Sequence, residues 1–226
     1  MQRSHVLFVL SDAKPAHERA FREWYGREFK HTLAAGEGVI SVHQYEQHDV
    51  DITQGQYAPL PLRYLALCEL AVDGAQAAAG QIEQIFSWHR EQPAALPPAA
   101  WLYYPVSEKV GRAPANLPSL LTLAFANAVA GREAEFREWY ATRHIRHALH
   151  IPALVSGQCF ERTQFQHPGA LEARFSMIAV YEQEGTAESI IESFASIPPE
   201  TFAFPALDID PSRFAEWVYR PWALEP

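Results

Sequence analysis

The pentapeptide Phe21-Arg22-Glu23-Trp24-Tyr25 recurs unchanged as Phe136-Arg137-Glu138-Trp139-Tyr140, 115 residues further along the chain. Five identical residues in a row, one of them tryptophan, mark an internal repeat, and a repeat constrains the architecture before any single element is assigned. The same offset pairs Ser41 with Ser156, Glu46 with Glu161 and Tyr45 with Phe160, and carries Val39-Ile40 onto Leu154-Val155 without a gap. Near the ends of the halves, Trp101, Tyr103 and Pro105 answer Trp217, Tyr219 and Pro221 at an offset of 116, and Leu65 to Glu69 answers Ile178 to Glu182 at 113. Loops of different length account for the drift. The sequence therefore predicts a first unit over 1–110, a linker over 111–118 that holds Gly111, Pro114 and Pro118, and a second unit over 119–226.

Each half reads as strand, helix, strand, strand, helix, strand. Residues 5–11 and 120–126 are apolar runs with little alternation, the pattern of strands covered on both faces. Beyond Pro15 and Gly131, Phe21, Trp24, Tyr25 and Phe136, Trp139, Tyr140 fall at i, i+3 and i+4, the apolar stripe of a helix. Strands are predicted over 39–46 and 154–161, then over 63–70 and 175–182. Helices follow near 74–90 and 185–194, and final strands over 101–106 and 214–220. Alternation puts Trp101 with Tyr103, and Trp217 with Tyr219, on one face of each final strand. This order is the ferredoxin-like plan, an α+β fold in which an antiparallel sheet carries two helices on one face. The bare faces need cover, and two βαββαβ units packed sheet to sheet supply it as an alpha-beta barrel within one chain. The longest insertion, 47–61, reads as a hairpin loop able to cover a pocket.

Lysine and arginine total 18 against 27 aspartate and glutamate, a net charge of -9 that repels a phosphate backbone or an anionic lipid surface. Neither nucleic acid nor membrane is an expected partner. The apolar run from Val6 to Leu10 is too short for a signal core or a bilayer span. Cys68 and Cys159 lie in strand-like runs without zinc or CxxC spacing, which reads as buried thiols in a reducing cytoplasm.

The second half carries F-x-x-W-Y-x-x-x-H, a helix end with proline, and a strand, in Phe136, Trp139, Tyr140, His144, Leu149, Ile151-Pro152 and the residues from Leu154. This arrangement resembles the dimeric alpha-beta barrel superfamily, in particular its EthD-like members. The first half keeps Phe21, Trp24 and Tyr25, but Phe29 stands where the motif has histidine and Glu37 where it has proline. The superfamily includes cofactor-free monooxygenases, polyketide cyclases, muconolactone isomerase, haem-handling enzymes and small stress-response proteins, so the resemblance implies a fold more narrowly than a reaction. Unduplicated relatives dimerise to complete the barrel. A duplicated chain is expected to be a monomeric pseudo-dimer, with a further homodimer open.

Tyr140 and His144 are four residues apart and His147 follows three later, so an α-helix would set them on one face. Imidazole titrates near neutral pH and a phenol can donate to a developing oxyanion, which suits His144 and Tyr140 to proton transfer beside a carbonyl or phenol. Arg143 and His147 are expected as auxiliary polar contacts, Arg143 to a carboxylate or phenolate, and Trp139 as an apolar wall. His144, His147 and His150 sweep too far round a helix to share one ion, so no metal is expected. No organic cofactor is expected either, though a haem on one axial histidine leaves no spacing signature and stays open. In the first half Trp24, Tyr25, His31 and His43 are candidate substrate contacts, the histidines as replacements for the missing imidazole. The expected activity is cofactor-independent acid–base catalysis, of lyase, isomerase or cyclase type, on a hydrophobic, aromatic or polyketide-like small molecule. Two alternatives are a cofactor-free or haem-dependent monooxygenase, and a non-catalytic small-molecule-binding or stress-response module whose aromatic helix faces are core.

Overall fold

The computed structural model describes residues 4–52, 60–115, 120–166, 171, 174–196 and 215–223. The first half runs β1 (His5–Ser11), α1 (Glu18–Trp24), a π-helical turn (Tyr25–Phe29), α2 (Lys30–Ala34), β2 (Val39–Gln47), β3 (Tyr64–Leu70), α3 (Ala75–Glu91) and β4 (Ala99–Pro105). After the two-residue β5 (Val110–Gly111) come β6 (Leu120–Ala126), α4 (Glu133–Trp139), a second π-helical turn (Tyr140–His144), α5 (Ile145–Ala148), β7 (Leu154–Arg162), β8 (Met177–Gln183), α6 (Ala187–Ala195) and β9 (Ala215–Pro221). Strands β1 and β6 are buried at every position, in keeping with their unbroken apolar sequence.

The strands hydrogen-bond in the order β4-β1-β3-β2-β9-β6-β8-β7, and β7 pairs back to β4 through Tyr103↔Arg162, Tyr104↔Glu161 and Pro105↔Phe160. Eight antiparallel strands thus close into a barrel. The halves meet at two strand seams, β2 with β9 and β4 with β7, rather than as two sheets stacked face to face. Closure gives the backbone groups of four edge strands their partners, which face-to-face packing would leave open. Gly111, in the segment expected as linker, pairs with Ser156. Its φ is +97° and an added Cβ would lie 2.3 Å from the Val155 carbonyl oxygen, so strand β5 can approach β7 only with glycine there. Residues 116–118 of that linker, residue 119 of the second unit, 53–59 of the 47–61 loop and residue 214 of the last strand lie outside the described residues.

Period-2 alternation divides the apolar residues into three compartments. Phe8, Trp101, Phe125, Phe160 and Trp217 fill the barrel, with Trp101 edge-on to Phe125 at 5.9 Å. Leu7, Val9, Phe21, Trp24, Tyr25 and Phe29 form the first helix–sheet layer outside it. Phe136, Trp139, Tyr140, Cys159 and Tyr181 belong to the second. Both cysteines are buried free thiols. No helix among the described residues is long and apolar enough to cross a membrane.

Candidate active site in the second helix–sheet layer

The repeated pentapeptide ends, in both halves, where the helix widens into a π turn. The Ile145 N–H reaches back to the Tyr140 carbonyl, an i→i+5 bond, and Cys159 Sγ donates to the same carbonyl at 3.4 Å. In the first half Gln44 Nε2 donates to the Tyr25 carbonyl at 2.6 Å. Gln44 and Cys159 stand at corresponding positions, so the strand behind each helix supplies a donor to the turn. Such turns are rare and recur at functional sites. Here the wider turn brings the Tyr140 and His144 rings face to face, 4.7 Å apart and 8° from parallel, with Trp139 at 5.1 Å from His144.

Of the residues expected from sequence, the structure brings together Trp139, Tyr140 and His144. His144 is partly exposed, but its imidazole is enclosed enough that burial, with His147 adding to it, lowers its pKa to about 4. It is therefore neutral at physiological pH. Tyr140 is fully buried and donates its hydroxyl to the Ala124 carbonyl at 3.1 Å, so that hydroxyl is engaged by β6 rather than turned toward a cavity. Arg143 and His147 are exposed on the solvent side of the turn, and His31 is exposed on α2. Trp24 and Tyr25 pack in the first layer, and His43 lies at the mouth of the barrel.

Two further residues complete the second layer. Glu216 alternates with the inward-facing Ala215 and Trp217, so it points outward beside Val218. Burial holds its carboxyl up at about 7. Tyr181 is buried, and its hydroxyl has no hydrogen-bond partner among the described residues. Burial raises its pKa well above the ordinary phenol value, and the neighbouring Tyr140, Cys159 and Glu216 add to the rise. Glu216 also lines a cavity of about 460 Å³ together with His48, Asp49, Asp51, Arg63 and Val218. Burial, with Arg220 beside it, lowers the pKa of His48, whose Nδ1 accepts the Val50 N–H at 2.9 Å.

The first layer lacks this chemistry. Phe29, Cys68 and Ala100 stand where the second layer has His144, Tyr181 and Glu216. Its imidazole is His89 of α3, bonded to Ser11 Oγ at 3.0 Å and to the Ile85 carbonyl at 3.1 Å, with ring edges against Trp24 and Phe29. Both nitrogens are taken, and burial lowers its pKa to about 4. This is a packing histidine. An axial haem ligand needs open space beside its nitrogen, and neither the cavity at Glu216 nor the one at the barrel mouth is lined by His144.

No family model and no curated protein sequence matches the chain. Solved structures do share its fold. An anthrone oxidase-like protein superposes with a TM-score of 0.60 at 10% identity, covering 99% of this chain and 92% of its own. A mutant chlorite dismutase from Candidatus Nitrospira defluvii gives 0.58 at 12% identity, with 99% and 93% covered. A monooxygenase-like protein from Listeria innocua gives 0.51 at 11% identity, with 99% and 97% covered. At these identities the likeness establishes a ferredoxin-like α+β barrel and no reaction.

Proposed function

We propose that the protein is a cofactor-independent enzyme that moves a proton on a hydrophobic, aromatic small molecule, in a lyase, isomerase or cyclase type of reaction. The observation that carries this reading is Glu216, a carboxyl poised near neutrality on the wall of a cavity and backed by two buried phenols. A base with a pKa close to the working pH combines an adequate ionised fraction with proton-transfer driving force. Glu216 abstracts or returns the proton of a substrate held in the cavity that it lines, with the buried Tyr181 phenol behind it. His144, which lines neither cavity, is a positioning residue behind the site, stacked on Tyr140, which is itself tied to β6. The internal recurrence supports an EthD-like duplication in which the second half keeps the chemistry and the first half keeps the scaffold.

The test is deuterium wash-in at activated C–H positions of a panel of phenols and aryl ketones in D2O, followed by NMR. Glu216→Gln is expected to slow exchange by about 10²-fold or more, and His144→Ala, acting only through packing behind the site, by a smaller factor. An exchange rate unchanged in Glu216→Gln overturns the assignment. A second reading, a cofactor-free monooxygenase, draws support from the anthrone oxidase-like and monooxygenase-like neighbours. It requires the same first deprotonation, followed by oxygen consumption stoichiometric with substrate, which an oxygen electrode measures.

A further inference from the structure

The barrel is filled by aromatic side chains along much of its length, but one end opens into a cavity of about 540 Å³. That volume suits a ligand of drug-like size. Leu67, Leu121, Phe160 and Val180 make an apolar floor. Two carboxylates at corresponding positions of the halves, Glu69 and Glu182, stand at the mouth. Each is anchored by a serine on the neighbouring strand: Ser41 Oγ donates to Glu69 Oε2 at 2.8 Å, and Ser156 Oγ donates to Glu182 Oε2.

Tyr45 lines the same cavity. It is only 8% exposed, and its pKa is raised by burial, then by the charges of Glu182 and Glu69. No hydrogen bond of its hydroxyl is found among the described residues. The hydroxyl is not among the sealed, unpartnered polar atoms, so it is open to the cavity that Tyr45 lines. Lys109 shows what fits here: its Nζ lies 2.6 Å from Glu182 Oε2 on a side chain that is 49% exposed. An alkylammonium of the chain itself thus already rests on one of the two carboxylates, on a tether loose enough to move aside.

We propose that the barrel mouth is a binding site for a hydrophobic primary amine. Its ammonium takes the place of Lys109 Nζ on Glu182, with Glu69 adding negative charge at the mouth, while its apolar body lies on the floor beside Phe160 and Tyr45. The site occupies the inner face of the barrel, whereas Glu216 faces outward, so the two assignments stand or fall separately. Lys30 and His43 are also on the rim and define the competing occupant, an aryl carboxylate.

Titration calorimetry of the full chain with phenethylamine, 3-phenylpropionate and 2-phenylethanol tests the proposal. Phenethylamine is expected to bind about ten-fold or more tightly than either of the others. Glu69→Gln should weaken it by about ten-fold and the conservative Tyr45→Phe by several-fold, with deuterium exchange at the Glu216 site unchanged. Equal or tighter binding of the carboxylate or the alcohol overturns the proposal. So does the absence of saturable heat with the amine at millimolar concentration, or amine affinity that survives the cavity-filling Val180→Trp.

Discussion

The two helix–sheet layers are built alike and filled differently. Each has a Phe-Trp-Tyr face, a π turn whose first carbonyl takes a side-chain donor from the following strand, and an arginine on the helix reaching a glutamate on that strand. The arginine pairs are Arg22 with Glu46 at 3.2 Å and Arg137 with Glu161 at 2.5 Å. The first layer is closed by apolar and aromatic groups, with Trp222 edge-on to Tyr25 and the Arg22 guanidinium 4.3 Å from the Trp222 ring centroid, although the Tyr25 hydroxyl and Trp222 Nε1, like the Tyr181 hydroxyl of the second layer, have no hydrogen-bond partner among the described residues. The second layer puts an imidazole, a phenol and a carboxyl at three positions where the first has Phe29, Cys68 and Ala100. Shared features therefore belong to the scaffold, π turn included, and the differences point to chemistry. The π turn alone is not a site marker here, because it occurs in both layers.

The sharpest way to break this comparison is at the arginine–glutamate pairs. Glu46 is 4% exposed and meets Arg63 at 2.5 Å and Arg220 at 2.9 Å as well as Arg22. Burial alone would raise its pKa, yet the three arginines hold the carboxyl below its ordinary value. Glu46→Gln leaves those cations without a counter-charge and should cost about 3 kcal/mol in urea unfolding. Glu161→Gln, with the glutamate 28% and Arg137 47% exposed, should cost at most about 1 kcal/mol. Equal losses would mean that the two clamps are equivalent and that Glu46 is not the principal tie across the β2–β9 seam.

The next effect is a pH dependence belonging to the second layer. Glu216 has a folded pKa of about 7 against an ordinary 4.5, so between those values the folded chain holds a proton that the unfolded chain has lost. Its contribution to stability falls as pH rises through that window and is constant above it. Glu216→Gln should therefore be the more stable protein at pH 8, by up to about 3 kcal/mol, with the advantage vanishing near pH 4. His144 and His89, with pKa lowered to about 4, act in the opposite sense: stability is lost as pH drops from 6.5 toward 4. Urea midpoints of wild type and Glu216→Gln across pH 4 to 8 read the difference directly.

The smallest effect exchanges the layers' identities. His144→Phe gives the second layer the residue of the first, and should add about 1 kcal/mol of stability, a few degrees in Tm, while lowering exchange activity. Phe29→His should lose a similar amount or more without gaining activity, since Cys68 and Ala100 supply no partner.

Much of the barrel was legible in the sequence. The runs 5–11 and 120–126 are strands over their whole predicted length, and the recurrent pentapeptide located both motif helices. The ring cluster of Trp139, Tyr140 and His144 follows the spacing that carries the resemblance. The bond from the Tyr140 hydroxyl to the Ala124 carbonyl is not legible, since helical periodicity places a side chain on a face but not its hydroxyl against a carbonyl. The π turn was invisible for a related reason: Tyr140 to His144 contains neither proline nor glycine to mark a change of helical pitch. Glu216 was missed because a charge between Ala215 and Trp217 looks like a strand facing water, and the alternation does not reveal that helices cover that face. Setting the halves side by side for polar residues replacing apolar ones would have found it, through Ala100. His43 was expected near a first-half replacement site, but alternation on β2 turns it into the barrel mouth instead.

Closure of the barrel through β4 and β7 also governs how the chain is made. Strands β2 and β4 are synthesised more than fifty residues before the strands that cover them, β9 and β7. At ribosomal speed β2 waits for β9 on the order of ten seconds, its inner residues bare and its backbone edge unpaired. Nascent first halves on neighbouring ribosomes could pair edge to edge with one another during that interval. The slow step on the way to this protein is then the arrival of its own second half, and its yield should depend on how crowded the translating message is.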